Sequence, residues 1–300
     1  MCYKPLYLNL NEEEWKKKID RAFQKFQNCD ICPHNCGVNR LLNEKGVCKT
    51  SDKCLISSFG AHLGEEDCLR GLYGSGTIFF TGCNLLCAFC QNYDISHYNM
   101  GREITYKNLA NIMLELQRGK CHNINLVTPT HFLPQILKAL YIAVQNGLTL
   151  PIVYNTGGYD KVESLKILEN IVDIYMPDIK FFDSKIAAKY TLANHYWEIV
   201  SSAVKEMHRQ VGNLVLNTEG IAQRGLLVRH LVMPGGIAQT DKVMSFLAKQ
   251  ISPDTYVNIM GQYRPMHAIT KVRELNRRIS DKEYKQAVDQ AKKVGIYRLE

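Results

Sequence analysis

The chain has 300 residues, 46% of them apolar, and a formal charge of 37 minus 29, or +8. That apolar content can fill the core of one large α/β domain with a small appendage, which excludes a disordered chain. Lys and Arg are scattered, so a nucleic-acid surface is not indicated, and no apolar run approaches the roughly 18 residues of a membrane helix.

No apolar leader precedes Asn11-Glu12-Glu13-Glu14, and a soluble, cytoplasmic protein is expected. The 11 cysteines would signal disulfides in a small secreted domain, but in a chain of this length metal ligation is the better reading. An N-terminal helix is expected first. Cys29-Asp30-Ile31-Cys32-Pro33-His34-Asn35-Cys36 follows, with Gly46-Val47-Cys48 further on. Cys29, Cys32, Cys36 and Cys48 suffice for a closed zinc site or an iron–sulfur cluster, with His34 as a substitute ligand; packed, reduced thiols are the alternative. Cys2, Cys54, Cys68 and Cys121 show no useful spacing and read as buried or incidental thiols. Ser58 to Glu66 reads as a turn, with Glu65 and Glu66 solvated and His62 nearby.

From Thr77 onward short apolar runs alternate with amphipathic stretches, the pattern of βα units around a parallel sheet. Strands are expected at Thr77 to Phe80, Ile124 to Val127, Pro151 to Tyr154, Val172 to Met176, Asn213 to Leu216 and Leu227 to Val232, and another at Tyr256 to Met260. Helices are expected at Tyr106 to Arg118 behind a Thr105 cap, at Phe132 to Gln145, and around Leu165 and Leu168 behind a capping box of Asp160 and Glu163. Ser280 and Glu283 cap the last helix. The resulting division is a cysteine-rich subdomain at 1–71, a partial barrel at 72–270 and a helical extension at 271–300.

The first strand runs into Cys83-Asn84-Leu85-Leu86-Cys87-Ala88-Phe89-Cys90. Intervals of four and three residues bring three thiolates from one loop onto one centre, and thiolates favour iron–sulfur clusters or zinc. No neighbouring cysteine closes the set. Three ligands on a four-iron cluster leave one iron open to a substrate. Placed at a strand's C-terminal end, the loop sits where parallel barrels carry their active sites.

The Cys-x3-Cys-x2-Cys run with Phe89 before its last cysteine resembles the signature of the radical S-adenosylmethionine (SAM) enzymes. Gly76 to Cys83 and Gln91-Asn92 are similar to the pyruvate formate-lyase-activating-enzyme-like subgroup, and the resemblance extends over about residues 29 to 270. It implies a partial (β/α)6 parallel barrel, a [4Fe-4S] cluster on Cys83, Cys87 and Cys90, and SAM chelating the open iron. One electron then gives methionine and a 5'-deoxyadenosyl radical. The short interval after Cys90 leaves no room for the ferredoxin-like insertion of some glycyl-radical activases.

By the same resemblance, Phe89 packs near adenine, and Asp178 and Lys180 address the cofactor's polar end. The family's Gly-Gly-Glu segment is replaced by Thr128-Pro129-Thr130-His131, so hydroxyls and carbonyls of Thr128 and Thr130 would receive the SAM ammonium. His131 is either an acid at the radical site or the start of a helix. Asn155 and Thr156 precede glycines that permit close backbone approach. Arg229 or His230 reaches the SAM carboxylate, and strand alternation lets only one point inward. Gln262 would line the mouth. Expected partners are a protein or peptide substrate and a flavodoxin or ferredoxin as electron donor. Radical modification of another peptide, a small molecule or RNA is the alternative, and an iron–sulfur or zinc protein for electron transfer or sensing the non-enzymatic one.

Overall fold

The computed structural model describes residues 3–300; Cys2 lies outside them. Strands are β1 (Cys54–His62), β2 (Ser75–Phe80), β3 (Arg102–Ile104), β4 (Ile124–Val127), β5 (Ile152–Thr156), β6 (Ile174–Pro177), β7 (Val215–Leu216), β8 (Ala222–Leu231) and β9 (Tyr256–Met260). Helices are α1 (Glu12–Gln27), α2 (Asp67–Arg70), α3 (Tyr93–Tyr98), α4 (Tyr106–Arg118), α5 (Leu133–Gln145), α6 (Val162–Ile167), α7 (Ser184–Tyr190), α8 (Tyr196–Val211), α9 (Thr240–Phe246) and α10 (Asp281–Lys293).

β2, β4, β5, β6, β8 and β9 pair in parallel in that order, the expected partial six-stranded barrel. β1 and β3 extend the β2 edge antiparallel, so the sheet starts at Cys54, before the strand that leads into the cysteine triplet. The fifth expected strand is corrected: Asn213 to Leu216 yields only the two-residue β7, antiparallel to β8. Tyr256 to Met260 supplies the sixth parallel strand instead.

Side-chain alternation divides the barrel interior by height. Val153, Ile174 and Leu227 point inward near the strand starts and form an apolar plug with Leu69 and Leu214. Two residues further along the same faces stand Asn155, Met176 and Arg229, and beyond Met176 comes Asp178. The polar set therefore meets at the C-terminal mouth. Outward residues such as Leu126 and Tyr154 pack in the main core.

α1 begins with a capping box, the Asn11 side chain accepting from Glu14 N at 2.9 Å and Glu14 accepting from Asn11 N at 2.8 Å. Trp15, Ile19, Ala22 and Phe26 form its buried stripe against α5 and α6. The expected capping box before α6 is absent. Asp160 turns inward to accept from Thr130, Tyr154 and Thr156 hydroxyls, and burial raises its pKa.

Arg229 faces into the barrel and His230 away from it. His230 Nδ1–H donates to the Ile179 carbonyl at 2.7 Å, and Nε2 accepts from the Thr240 hydroxyl at 2.9 Å, a geometry that uses the neutral ring. Burial lowers its pKa to about 4. Since the unfolded ring takes a proton near pH 6.5 and the folded ring does not, the unfolded state binds more protons between these values. Stability is therefore expected to fall as pH drops from about 6.5 to about 4, by on the order of 2–3 kcal/mol from this ring. Urea denaturation of His230→Gln should show a shallower pH dependence over that window. An unchanged slope would remove His230 as its source.

Candidate active site

The cysteine loop is built by backbone constraints at its entrance. Gly82 has φ +76°, its N–H donates to the Ile95 carbonyl at 3.0 Å, and an added Cβ would lie 2.7 Å from the Cys48 carbonyl oxygen. Only glycine fits there. Leu85 is buried and fixes the loop in the core, while Ala88 N–H donates to the Tyr190 carbonyl at 2.8 Å. Leu85 N–H donates to Cys83 Sγ at 3.3 Å, and the Ser96 hydroxyl lies 3.2 Å from Cys90 Sγ. Hydrogen bonds to sulfur suit thiolate ligands of a cluster.

Cys83, Cys87 and Cys90 all line one cavity of about 390 Å3 at the barrel mouth. Burial raises the Cys83 thiol to about 11 and Cys87 further still, although the Lys180 ammonium opposes the Cys87 shift. A bound metal would favour the thiolate form that burial opposes. No group of three or more His, Cys, Asp or Glu among the described residues is arranged to hold a single metal ion. Thiolates from one short loop sharing one cavity are the donor set that iron–sulfur clusters use. The donor set, the hydrogen bonds to sulfur and the cavity fit such a group.

Phe89, Thr128, Asn155, Thr156, Asp178, Lys180 and Arg229 line the same cavity. Thr130 does not: its hydroxyl donates to Asp160 at 2.7 Å in the wall behind. His131 is likewise outside, buried, with Nε2 2.7 Å from the Thr81 carbonyl and its pKa lowered to about 3 by burial. It tethers the strand end that precedes the cysteines. Phe89 packs edge to face on Phe181 with centroids 5.9 Å apart. Lys180 Nζ donates to Asp178 at 2.6 Å; burial opposes its charge, but Asp178 and Cys87 outweigh it and raise its pKa.

Thr128 has φ +58°, rare for a β-branched residue, and its N–H donates to the Asn155 carbonyl at 2.8 Å. Thr128→Gly relieves roughly 1–2 kcal/mol of left-handed strain against roughly 0.5–1 kcal/mol of added chain entropy. Urea denaturation is expected to show equal or slightly higher stability. A loss above about 1 kcal/mol would mean that the side chain is held by packing instead.

The expectation of solvated Glu65 and Glu66 is corrected. Both are buried and paired with Arg229, whose Nε donates to Glu66 at 2.6 Å and whose Nη2 reaches both carboxylates. Asn258 donates to Glu66 at 2.8 Å. Burial raises Glu65, with Arg229 opposing; for Glu66, burial is outweighed by Arg229 and the pKa is lowered. Arg229 Nη1 faces Asn155 at 3.5 Å, so most of its donors are already used. Glu65 lines the buried floor of the cavity, and the partly exposed His62 lines it as well. Sequence offered only an acidic pair after a glycine; it gave no sign that a residue more than 160 positions later would draw the pair inward.

Comparison with known proteins agrees with this site. Residues 77–222 match the model of the radical SAM superfamily. The chain is 34% identical over 289 residues to the uncharacterized protein MJ0674 of Methanocaldococcus jannaschii, covering 93% of this chain and 78% of that protein. Two solved structures resemble it more distantly. TYW1 with a lysine-pyruvate adduct bound gives a TM-score of 0.44 at 11% identity over 72% of this chain and 73% of that one. HydG, a maturase of the [FeFe]-hydrogenase, gives 0.49 at 13% identity over 98% of this chain and 63% of that one. Family model, long relative and cysteine-lined mouth together show that the chain belongs to the radical SAM superfamily, which implies a [4Fe-4S] cluster and S-adenosylmethionine as its cofactors.

Proposed function

We propose that this cavity cleaves SAM reductively and turns the 5'-deoxyadenosyl radical on a hydrogen atom of a protein or peptide substrate, as a glycyl-radical activase does. The observation that carries the reading is that three thiols face one cavity and, among the described residues, no fourth cysteine lines it. When bound, cluster and SAM supply one-electron cleavage of the sulfonium C–S bond.

The chain's own residues bind, orient and exclude water. Cys83, Cys87 and Cys90 hold the cluster. Lys180, fixed by Asp178, keeps a positive charge beside Cys87 and the cofactor's polar end. Thr128, Asn155 and Thr156 offer hydroxyl, amide and carbonyl oxygens for the SAM ammonium, in place of a carboxylate. Phe89 walls the adenine side. Arg229, neutralised by Glu65 and Glu66, serves this reading as a support for the floor more than as a free carboxylate donor. Gln91, Asn92, Met260 and Gln262 border the cavity and would meet the substrate segment there. The electron comes from a flavodoxin or ferredoxin in the cytoplasm, and among the described residues no helix is long and apolar enough to cross a membrane.

Anaerobic reconstitution with reductant and SAM should yield methionine and 5'-deoxyadenosine. Absence of both overturns the cleavage. Deuterium from a glycine-labelled protein or peptide should appear in the deoxyadenosine, whereas transfer only from a labelled small molecule or RNA overturns the activase reading.

A further inference from the structure

Residues 28–53 run from α1 to β1 with a single three-residue helical turn, Arg40–Leu42, yet Cys29, Cys32 and Cys48 in this segment are buried. A stretch of that length needs something other than regular hydrogen bonding to hold it. The chain doubles back through Asn35, Gly37, Asn43 and Lys49, all at positive φ. Cys29 N–H donates to the Val38 carbonyl at 2.8 Å, and Gly37 N–H to the Cys29 carbonyl at 3.0 Å. Gly46 passes so close to Cys36 that a Cβ would lie 2.8 Å from its sulfur, and Val47 N–H donates to that sulfur at 3.4 Å. Asn35 N–H donates to the Cys32 carbonyl at 3.1 Å, so the turn that carries Cys32 closes between Cys29 and Cys36 while Val47, next to Cys48, meets the Cys36 sulfur, and all four thiols are free.

A second, independent observation is Arg40. Its side chain is fully buried and its guanidinium stacks 3.8 Å over the Phe26 ring. It donates to the Ser51 and His131 carbonyls and to Thr50 Oγ1 at 2.9 Å, and Thr50 Oγ1 lies 3.1 Å from Cys48 Sγ. Among the described residues, no carboxylate forms an ion pair with it. A buried cation without a counter-charge is costly. Through Thr50 the guanidinium is linked to Cys48, and the four cysteines would supply that counter-charge once they are thiolates on a metal.

The kind of centre follows from spacing. One tetrahedral zinc with Zn–S near 2.3 Å would draw its sulfurs to about 3.8 Å of each other. No three described side chains converge in that way, here or at Cys83, Cys87 and Cys90. His34, the alternative ligand, is turned away: its Nε2 is 2.6 Å from the Asn84 carbonyl, inside the other cysteine loop. The Cys48 carbonyl packs on Gly82, immediately before Cys83. The two cysteine loops thus touch at two places.

We propose that Cys29, Cys32, Cys36 and Cys48 hold a second four-iron cluster, with Arg40 as its buried counter-cation, which passes electrons to the cluster at Cys83, Cys87 and Cys90. A low-potential one-electron donor of ferredoxin or flavodoxin class reduces the second cluster by one electron. The second cluster is reoxidised as the first is reduced, and no bond is made or broken. The relay rests on the radical-forming reading of the cavity; the metal site does not.

Iron and acid-labile sulfide in the anaerobically reconstituted full chain are expected at about eight each, falling to about four in Cys29→Ser/Cys32→Ser. One zinc per chain, or unchanged iron in the variant, overturns the site. Arg40→Gln keeps every ligand and guards against a folding defect in the double variant. Its second electron-paramagnetic signal should titrate at a lower potential, because a nearby positive charge is lost; a potential equal to that of the parent protein overturns the counter-cation role. With ferredoxin as donor, deoxyadenosine formation by the double variant should drop at least ten-fold, while with dithionite it stays within two-fold. Equal losses with both donors overturn the relay. If the parent protein makes no deoxyadenosine with either donor, the cavity reading and with it the relay fall, while the iron count still decides the site.

Discussion

Cys87→Ala is expected to abolish SAM cleavage, lowering deoxyadenosine formation by at least about 1,000-fold, and to remove about four iron atoms per chain. Cys87 is the middle ligand of a loop whose other two thiols lie on either side of it in sequence and line the same cavity. Two thiolates cannot hold three irons. The folded core should survive, since alanine removes one sulfur from a position beside Leu85 and Phe89 and leaves the loop's backbone hydrogen bonds intact. Chromatographic assay of deoxyadenosine, iron analysis and a thermal melt on one preparation separate these outcomes. Cleavage within ten-fold of the parent would show that Cys87 is not a ligand.

Arg229→Met is expected to cost roughly 3–5 kcal/mol, a large share of the stability of an ordinary domain. The substitution leaves Glu65 and Glu66 buried without their cation, and Asn258 alone cannot replace it. In the variant both folded carboxylates hold protons more tightly than in the unfolded chain. The folded state then binds more protons, so the deficit is greatest near neutral pH and shrinks as pH falls towards 4. Adding Glu65→Gln and Glu66→Gln to Arg229→Met should recover part of the loss. Urea denaturation at several pH values measures all of this, and a deficit below about 1 kcal/mol at pH 7 would mean that water already solvates the pair.

The contrast between these two sites shows what kind of information a sequence carries. Cys83, Cys87 and Cys90 come from one loop, so their spacing alone brings them together. Strands with short, mostly apolar runs, such as Ile124 to Val127, and helices with local caps, such as the one behind Thr105, were legible for the same reason: the signals that mark them are local. Asn213 to Leu216 has an apolar centre but is covered by β8 on one edge only and stays a two-residue strand. Asp160 looked like a helix cap because a carboxylate three residues before a glutamate usually is one; three hydroxyls from neighbouring strand ends outbid the helix.

By itself the sequence determined most strands of the parallel barrel and the cysteine triplet at its mouth, because hydrophobic period and ligand spacing act over a few residues; Asp178 and Lys180 came from the family resemblance. Only the tertiary structure decided that Thr130 and His131 stand behind the cavity wall, that Glu65 lines it while Glu66 is buried against Arg229, and that Arg40 lies buried in the segment of the four cysteines. Each of these depends on partners far away in the chain. A charge is buried or solvated according to what meets it in space, and that meeting is set by how the strands and loops pack.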